Sequence, residues 1–293
     1  MIKKNVINAL VNVPWQTYNK NYLKNYYYSN VDGDLSSRIK THKKFSFKKN
    51  FDEWFISKMD LNGEQNNLIL DVGCGTGNFL LPLAEKIKNM GSYIIGVDLS
   101  KAYVNYLQNI IINSKLPATV IEGDIEKIIF PQIFNKILCN YTLYHIKNIK
   151  KAISRLRSII LDNGLLYIMT NSEKTMPEFE KINQLALTEV LGYKVPVSQR
   201  VESRFCSENA LGYLKDSFRL RKQIAYNDKL IFHNENDFSI FYFSSRTRNK
   251  FYLTTEQYNL LKIVIKKIAL RELKNNNSIV VNKKSHLFIL SPI

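Results

Sequence analysis

Three glycines at alternate positions, Gly73, Gly75 and Gly77, follow closely on Asp71 in the segment LILDVGCGTGNFLLPL, residues 68–83. Residues without a Cβ let the backbone turn sharply and come close to a ligand. A carboxylate at the mouth of such a turn can organise the loop or accept from a ligand's amino group. An apolar run leads into Asp71 and a helical apolar pattern follows Gly77, so the turn joins a buried strand to a helix start. Such a junction suits a nucleotide-like ligand. The spacing argues against two alternatives. A dinucleotide turn of the G-x-G-x-x-G type would need its third glycine at 78, where Asn78 stands. A phosphate-binding loop would need a closing Gly-Lys-Ser/Thr, which is missing. A second carboxylate, Asp98, lies 21 residues past Gly77, near the ~20-residue offset at which an acid reaches ribose hydroxyls in related nucleotide folds.

These groups need strands to carry them. Apolar runs predict strands over 68–71, 92–100, 118–125, 135–146 and 165–170, the last after the turn Asp162-Asn163-Gly164. Two helices are expected before the first strand. One spans 5–28, with Trp15, Tyr18, Tyr22 and Tyr26 on one face and Tyr27 and Tyr28 widening it; the other spans about 35–60. Beyond residue 171 the pattern predicts a helix over 176–191 and a charged loop over 193–206 facing a substrate entrance. A short helix capped by Ser207 follows, then strands over 219–232 and 278–290 with a helix over about 254–273 between them.

The motif Asp-x-Gly-x-Gly-x-Gly and the strands that follow it, over residues 40–175, resemble the class I S-adenosylmethionine (SAM)-dependent methyltransferases. The resemblance implies an α/β, Rossmann-like sheet of seven strands closed by an antiparallel hairpin. An N-terminal helical lid over residues 1–60 would cover a methyltransferase domain over 61–293, with helical insertions at about 172–217 and 236–275. It also implies cofactor roles. Asp71, Gly73, Cys74, Gly75 and Gly77 would form the methionine-side loop, with Cys74 present for its small size. Asp98 would take both ribose hydroxyls. Asp124 would accept from the adenine amino group, with Leu99 and Ile125 on the ring faces.

Asn140 and Tyr141 follow the fourth strand, where the family places groups facing the sulfonium and the acceptor. Enzymes acting on exocyclic base amines often carry Asn-Pro-Pro-Tyr there; this chain has Asn140-Tyr141-Thr142-Leu143. The run Tyr141-Thr-Leu-Tyr144-His145-Ile and the segment RIKTHKKFS, residues 38–46, instead resemble the type 11/12 group, which acts on small molecules. His145 is a candidate proton acceptor or a structural hydrogen bonder. Tyr141 and Tyr144 are candidates to orient an acceptor or shield the sulfonium. Arg38 could bind a carboxylate of cofactor or acceptor, or be an ordinary surface residue.

The net charge of +17 is uneven. Residues 1–50 hold ten basic against two acidic side chains, residues 51–170 twelve against eleven, and residues 171–293 twenty against twelve. A basic rim could attract RNA. The excess is mostly scattered Lys in a chain rich in Asn, Ile, Tyr and Phe, which favours A/T-rich coding as its origin. Three widely spaced cysteines, Cys74, Cys139 and Cys206, suggest reduced thiols and a cytoplasmic setting. No run of ~18 apolar residues predicts a membrane span, the start lacks a signal-peptide pattern, and the four histidines share no metal-ligand spacing. The expected partner is a small-molecule or peptide-derived methyl acceptor, with tRNA or rRNA and a non-catalytic SAM-binding module as rivals.

Overall fold

Strand order sets the position of everything else. In the computed structural model, which describes residues 19–24, 30–61, 66–131, 133–246 and 248–293, seven strands form one sheet in the order β3-β2-β1-β4-β5-β7-β6. They are β1 (Leu68–Val72), β2 (Tyr93–Asp98), β3 (Ala118–Glu122), β4 (Phe134–Leu138), β5 (Ile160–Asn171), β6 (Phe218–Phe232) and β7 (Ile279–Pro292). The first five pair in parallel, while β7 runs antiparallel to both β5 and β6. The order reverses between β1 and β4, and a crevice opens at such a point beyond the carboxyl ends of the strands.

The parallel strands are nearly continuous apolar runs because both sheet faces are covered. On one face Leu70, Ile137 and Leu166 pack with α5 (Ile149–Ser158) through Ile153 and Leu156. On the other, Ile69, Ile94 and Leu138 pack with α3 (Leu80–Lys86) and α4 (Lys101–Ser114) through Leu83 and Leu107. Ser100 caps α4 by accepting from the Tyr103 N–H. A third core lies where the long hairpin β6–β7 extends past the sheet. There Leu230, Phe232, Ile279 and Val281 meet α6 (Pro177–Leu191), α7 (Glu235–Ser245) and α8 (Thr255–Asn276). A Thr254/Gln257 capping box starts α8.

Four expectations need correction. The helix expected over 35–60 is two, α1 (Asp34–Phe45) and α2 (Phe51–Ile56). Between them the chain is drawn to β6: Ser46 bridges to Leu230, the Phe47 N–H donates to the Lys229 carbonyl at 2.8 Å, and the Lys48 N–H donates to Asp228 Oδ1 at 2.9 Å. Tertiary pairing outweighs the helical pattern. The fourth strand ends at Leu138 rather than Ile146, because Tyr141 adopts a left-handed φ of 54° and a 3₁₀ turn, Leu143–His145, follows. The fifth strand starts at Ile160, taking the predicted turn at 162–164 into an irregularity opposite β4. The short helix capped by Ser207 is only Ala210–Leu214, and Ser207 Oγ donates to Glu208 instead.

Of the aromatic stripe expected over 5–28, only Tyr22 falls among the described residues. Trp15, Tyr18, Tyr26, Tyr27 and Tyr28 lie outside them. The described part is a single turn, Lys20–Tyr22, capped by Asn19. No helix among the described residues is long and apolar enough to cross a membrane.

Candidate active site

A cavity of about 710 Å³ opens at the carboxyl ends of β1 to β4, between the sheet and α1, α6 and α7. Its walls differ in how they are built. The wall at β1–β3 is largely backbone and short side chains. The opposite wall consists of long side chains from elements far apart in sequence.

At β1 the chain leaves the strand through Gly73, whose N–H donates to the Val97 carbonyl at 2.7 Å. Gly73 has φ +70°, and a Cβ there would run into the Thr142 side chain, so only glycine fits. Gly75, at φ +53°, would bring a Cβ only into ordinary contact with Leu35 at 3.9 Å, and it lines the cavity, as do Gly73 and Cys74. Gly77 stands behind the wall: a Cβ there would strike Leu107 and Leu81, so its requirement is close helix packing rather than ligand approach.

Asp98 ends β2 in a fixed orientation. One oxygen accepts from the Gly75 N–H and the other from the Ser100 N–H, each at 2.8 Å. Burial raises its pKa, while these backbone donors pull it back. Each oxygen keeps a lone pair for a ligand hydroxyl. Leu99, Asp124 and Ile125 line the cavity beside it. Asp124 is already engaged, since Lys20 Nζ donates to its Oδ2 and also pairs with Glu126, tying the turn at Lys20–Tyr22 to the end of β3.

Asp71 does not line the cavity. It is 2% exposed, and its Oδ2 is buried without a hydrogen-bond partner among the described residues. Burial, with Asp98 nearby, pushes its pKa up to about 7. Asn140 anchors the end of β4 by accepting from the Met169 N–H at 2.9 Å, which leaves its Nδ2 as a buried donor without a partner among the described residues.

Tyr141, Tyr144 and His145 all line the cavity just past β4. The Tyr141 hydroxyl donates to Ser285 Oγ at 3.2 Å, and Ser285 donates to Asn171 Oδ1 at 2.9 Å. Burial pushes the Tyr141 pKa up, so the phenol keeps its proton. The Tyr144 and His145 rings lie 4.6 Å apart. Arg38 reaches the cavity from α1, one turn before His42.

The far wall contains residues that the motifs do not mark. Tyr226 on β6 has a buried hydroxyl without a partner among the described residues and a pKa pushed up to about 12, chiefly by burial. Its ring lies 4.8 Å from Phe51 and 4.5 Å from Trp54. Lys283 on β7 pairs with Asp228 at 3.0 Å, donates to Ser46 Oγ at 2.8 Å and lies 3.2 Å from His42 Nδ1. His42 is half-buried there. Burial first, then the Lys283 and Arg38 charges, lowers its pKa to about 3.

Glu180 on α6, Arg246 at the end of α7, and Arg200 and Glu202 from the charged 193–206 loop complete this wall. Arg200 grips Glu202 at 3.0 Å and donates to the Thr175 carbonyl at 2.8 Å. Burial opposes the Glu202 charge, yet the Arg200 guanidinium outweighs it and holds the carboxyl down to about 2. The mixed charges in 193–206 were a usable signal. Nothing local marked Glu180 or Arg246.

A family profile described as a methyltransferase domain matches residues 64–224. The chain belongs to that family. It carries a class I methyltransferase domain of the type 11/12 group over residues 64–224. Over 120 residues it is 33% identical to the (S)-tetrahydroprotoberberine N-methyltransferase of Eschscholzia californica, covering 40% of this chain and 33% of the relative. Over another 120-residue alignment it is 27% identical to the ubiquinone biosynthesis O-methyltransferase of Rickettsia typhi, covering 40% and 47%. The chain thus spans about a third to a half of the length of these curated relatives. The fold is shared with a solved structure from Bacillus halodurans C-125, at TM-score 0.53 and 16% identity over 82% of this chain and 98% of that one. It is also shared with a SAM-dependent methyltransferase from Aquifex aeolicus, at TM-score 0.50 and 16% identity over 67% and 92%.

Proposed function

We propose that this methyltransferase carries a methyl group from SAM to an O or N atom of a small metabolite or natural product, peptide-derived ones included. One observation carries the reading: a single cavity joins a glycine-and-carboxylate wall to a deep wall of aromatic and charged side chains. That second wall is sized for a small acceptor. The relatives include an N- and an O-methyltransferase, which supports either atom. Buried free thiols at Cys74, Cys139 and Cys206 support a reducing, cytoplasmic setting.

SAM fits the residues present. The turn at Gly73 and Gly75 leaves room for its methionine end, and Asp98 has lone pairs for both ribose hydroxyls. Asp124 takes the adenine amino group beside Lys20, with Leu99 and Ile125 against the ring. The buried Nδ2 of Asn140 supplies a donor to the methionine end, and Arg38 a cation for a carboxylate. Asp71, buried behind the wall, does not reach the cofactor directly. When bound, SAM supplies an electrophilic methyl group on its sulfonium.

What the chain must then do is hold an acceptor in line and keep water out. Positioning is worth ~7–11 kcal/mol, against roughly 10²–10⁴-fold in rate for a general base. Tyr141 suits positioning, since its hydroxyl is anchored through Ser285 and keeps its proton. Tyr144 shields the same end, and His145 beside it is placed to accept a proton released by the acceptor.

Nucleic acid is the alternative to exclude by experiment. Bulk tRNA should bind weakly and without saturation at ~150 mM salt, because screened, scattered lysines release few counterions together. A saturable tRNA complex at that salt would replace the small-molecule reading with an RNA one.

A further inference from the structure

Four charged residues line the cavity on this wall: Glu180 and Arg246, both buried, and Arg200 and Glu202, both half-buried. Two carry positive and two negative charge, so the group is neutral as a whole. It is unevenly satisfied. Arg200 and Glu202 form a closed unit, with contacts at 3.0 and 3.4 Å and a further bond to the Thr175 carbonyl. Glu180 and Arg246 form an open one. They are in ionic contact, and Arg200 approaches Glu180 only to 3.8 Å. Among the described residues neither Glu180 oxygen makes an aligned hydrogen bond, nor does Arg246 Nε, although both residues are only 8% exposed.

Buried polar groups left unpaired cost roughly 1–3 kcal/mol each, and more when charged. Glu180 Oε1 already faces the Arg246 and Arg200 guanidiniums, so the unmade bonds at this wall specify a donor for Glu180 Oε2 and an acceptor for Arg246 Nε–H. The charge balance narrows the choice. An ammonium or a carboxylate alone would leave this desolvated network with an uncompensated charge, whereas a ligand bearing both leaves it neutral. Apolar surface adjoins the pair. The Phe179 ring lies 5.0 Å beneath the Arg246 guanidinium and 5.1 Å from the Phe241 ring, and both residues border the cavity from the buried core behind it.

We propose that Glu180 and Arg246 form the acceptor-recognition subsite and take the head of a zwitterion. Its ammonium sits against Glu180, its carboxylate against Arg246 Nε, and an apolar body packs on Phe179 and Phe241. The methyl-accepting atom then lies elsewhere on the molecule or is an amine of the same head once deprotonated. The inference rests on the small-molecule methyltransferase reading and names its substrate class.

The test uses matched ligands with one apolar body. L-Phenylalanine, phenethylamine and 3-phenylpropionate are titrated against the full-length protein by saturation-transfer NMR, with and without S-adenosylhomocysteine. Phenylalanine should bind about tenfold or more tighter than either analogue, the scale of one charge-assisted hydrogen bond. Glu180→Gln should remove that preference while leaving phenylpropionate within about twofold and S-adenosylhomocysteine affinity unchanged. Equal affinities for the three ligands in the wild type, or no binding of any at about 10 mM, would overturn the subsite, whether or not the variant folds. The cofactor titration keeps the two failures apart. Loss of S-adenosylhomocysteine binding in the wild type would count against the methyltransferase reading, whereas intact binding with no zwitterion preference counts against the subsite alone.

Discussion

The two walls of the cavity are assembled by opposite means. The wall at β1–β3 comes from one stretch of chain, 71–125, in which each functional group follows a strand directly. Gly73 and Asp98 are fixed there by backbone hydrogen bonds spanning about one strand–helix unit. The opposite wall draws His42 from α1, Glu180 from α6, Arg246 from α7 and Lys283 from β7, and holds them by side-chain ion pairs. A wall set by backbone geometry can present the same cofactor to many enzymes. A wall set by side chains can change its acceptor without disturbing the sheet.

Substitutions that separate the walls put this comparison at risk. The largest effect is expected at Asp98, where both oxygens are already aligned. Asp98→Ala should weaken S-adenosylhomocysteine by ~1.5–3 kcal/mol, the scale of charge-assisted hydrogen bonds lost, as read by calorimetry. Unchanged affinity would remove Asp98 from the cofactor wall.

A comparable but pH-dependent effect is expected on the other wall. His42 is held neutral when folded, with its pKa lowered to about 3 by burial and then by Lys283 and Arg38. In the unfolded chain it protonates near 6.5. Its contribution to stability is therefore complete above pH 6.5 and is lost progressively as pH falls from 6.5 towards 3. Urea unfolding of the wild type and His42→Gln should show the wild-type advantage shrinking by about 2 kcal/mol between pH 7.5 and 5. Parallel pH profiles would mean that His42 is not buried in its neutral form.

The smallest effect concerns Lys20, a partly exposed clasp on Asp124 and Glu126. Lys20→Ala should weaken S-adenosylhomocysteine by under ~1 kcal/mol, as expected for a solvent-screened ion pair. A loss as large as that at Asp98 would make the clasp part of the cofactor wall and blur the distinction between the two.

The same contrast explains what the sequence made legible. Strands β1, β2 and β3, the glycine turn and Asp98 could be read because their signals are local, a short apolar run or a glycine at a fixed offset from a strand end. The break between α1 and α2 could not, because Ser46 and Lys48 answer to Leu230 and Asp228, some 180 residues away. Glu180 sits in an ordinary helical pattern beside Phe179. Only the packing of α6 against α7 brings Arg246 over it, so in sequence it looks like any surface carboxylate. Gly77 and Asp71 show the converse: both belong to the motif, yet helix packing requires one, and the other is buried behind the wall.

The account depends most on the first wall being a SAM site, and calorimetry on the wild-type protein tests this directly. S-Adenosylhomocysteine should bind one to one at micromolar affinity or tighter, worth about 8 kcal/mol, while NADH should give no binding heat, as the turn at Gly73–Gly77 lacks the dinucleotide spacing. No S-adenosylhomocysteine binding at ~100 µM, well above a micromolar dissociation constant, or NADH binding in its place, would contradict the assignment.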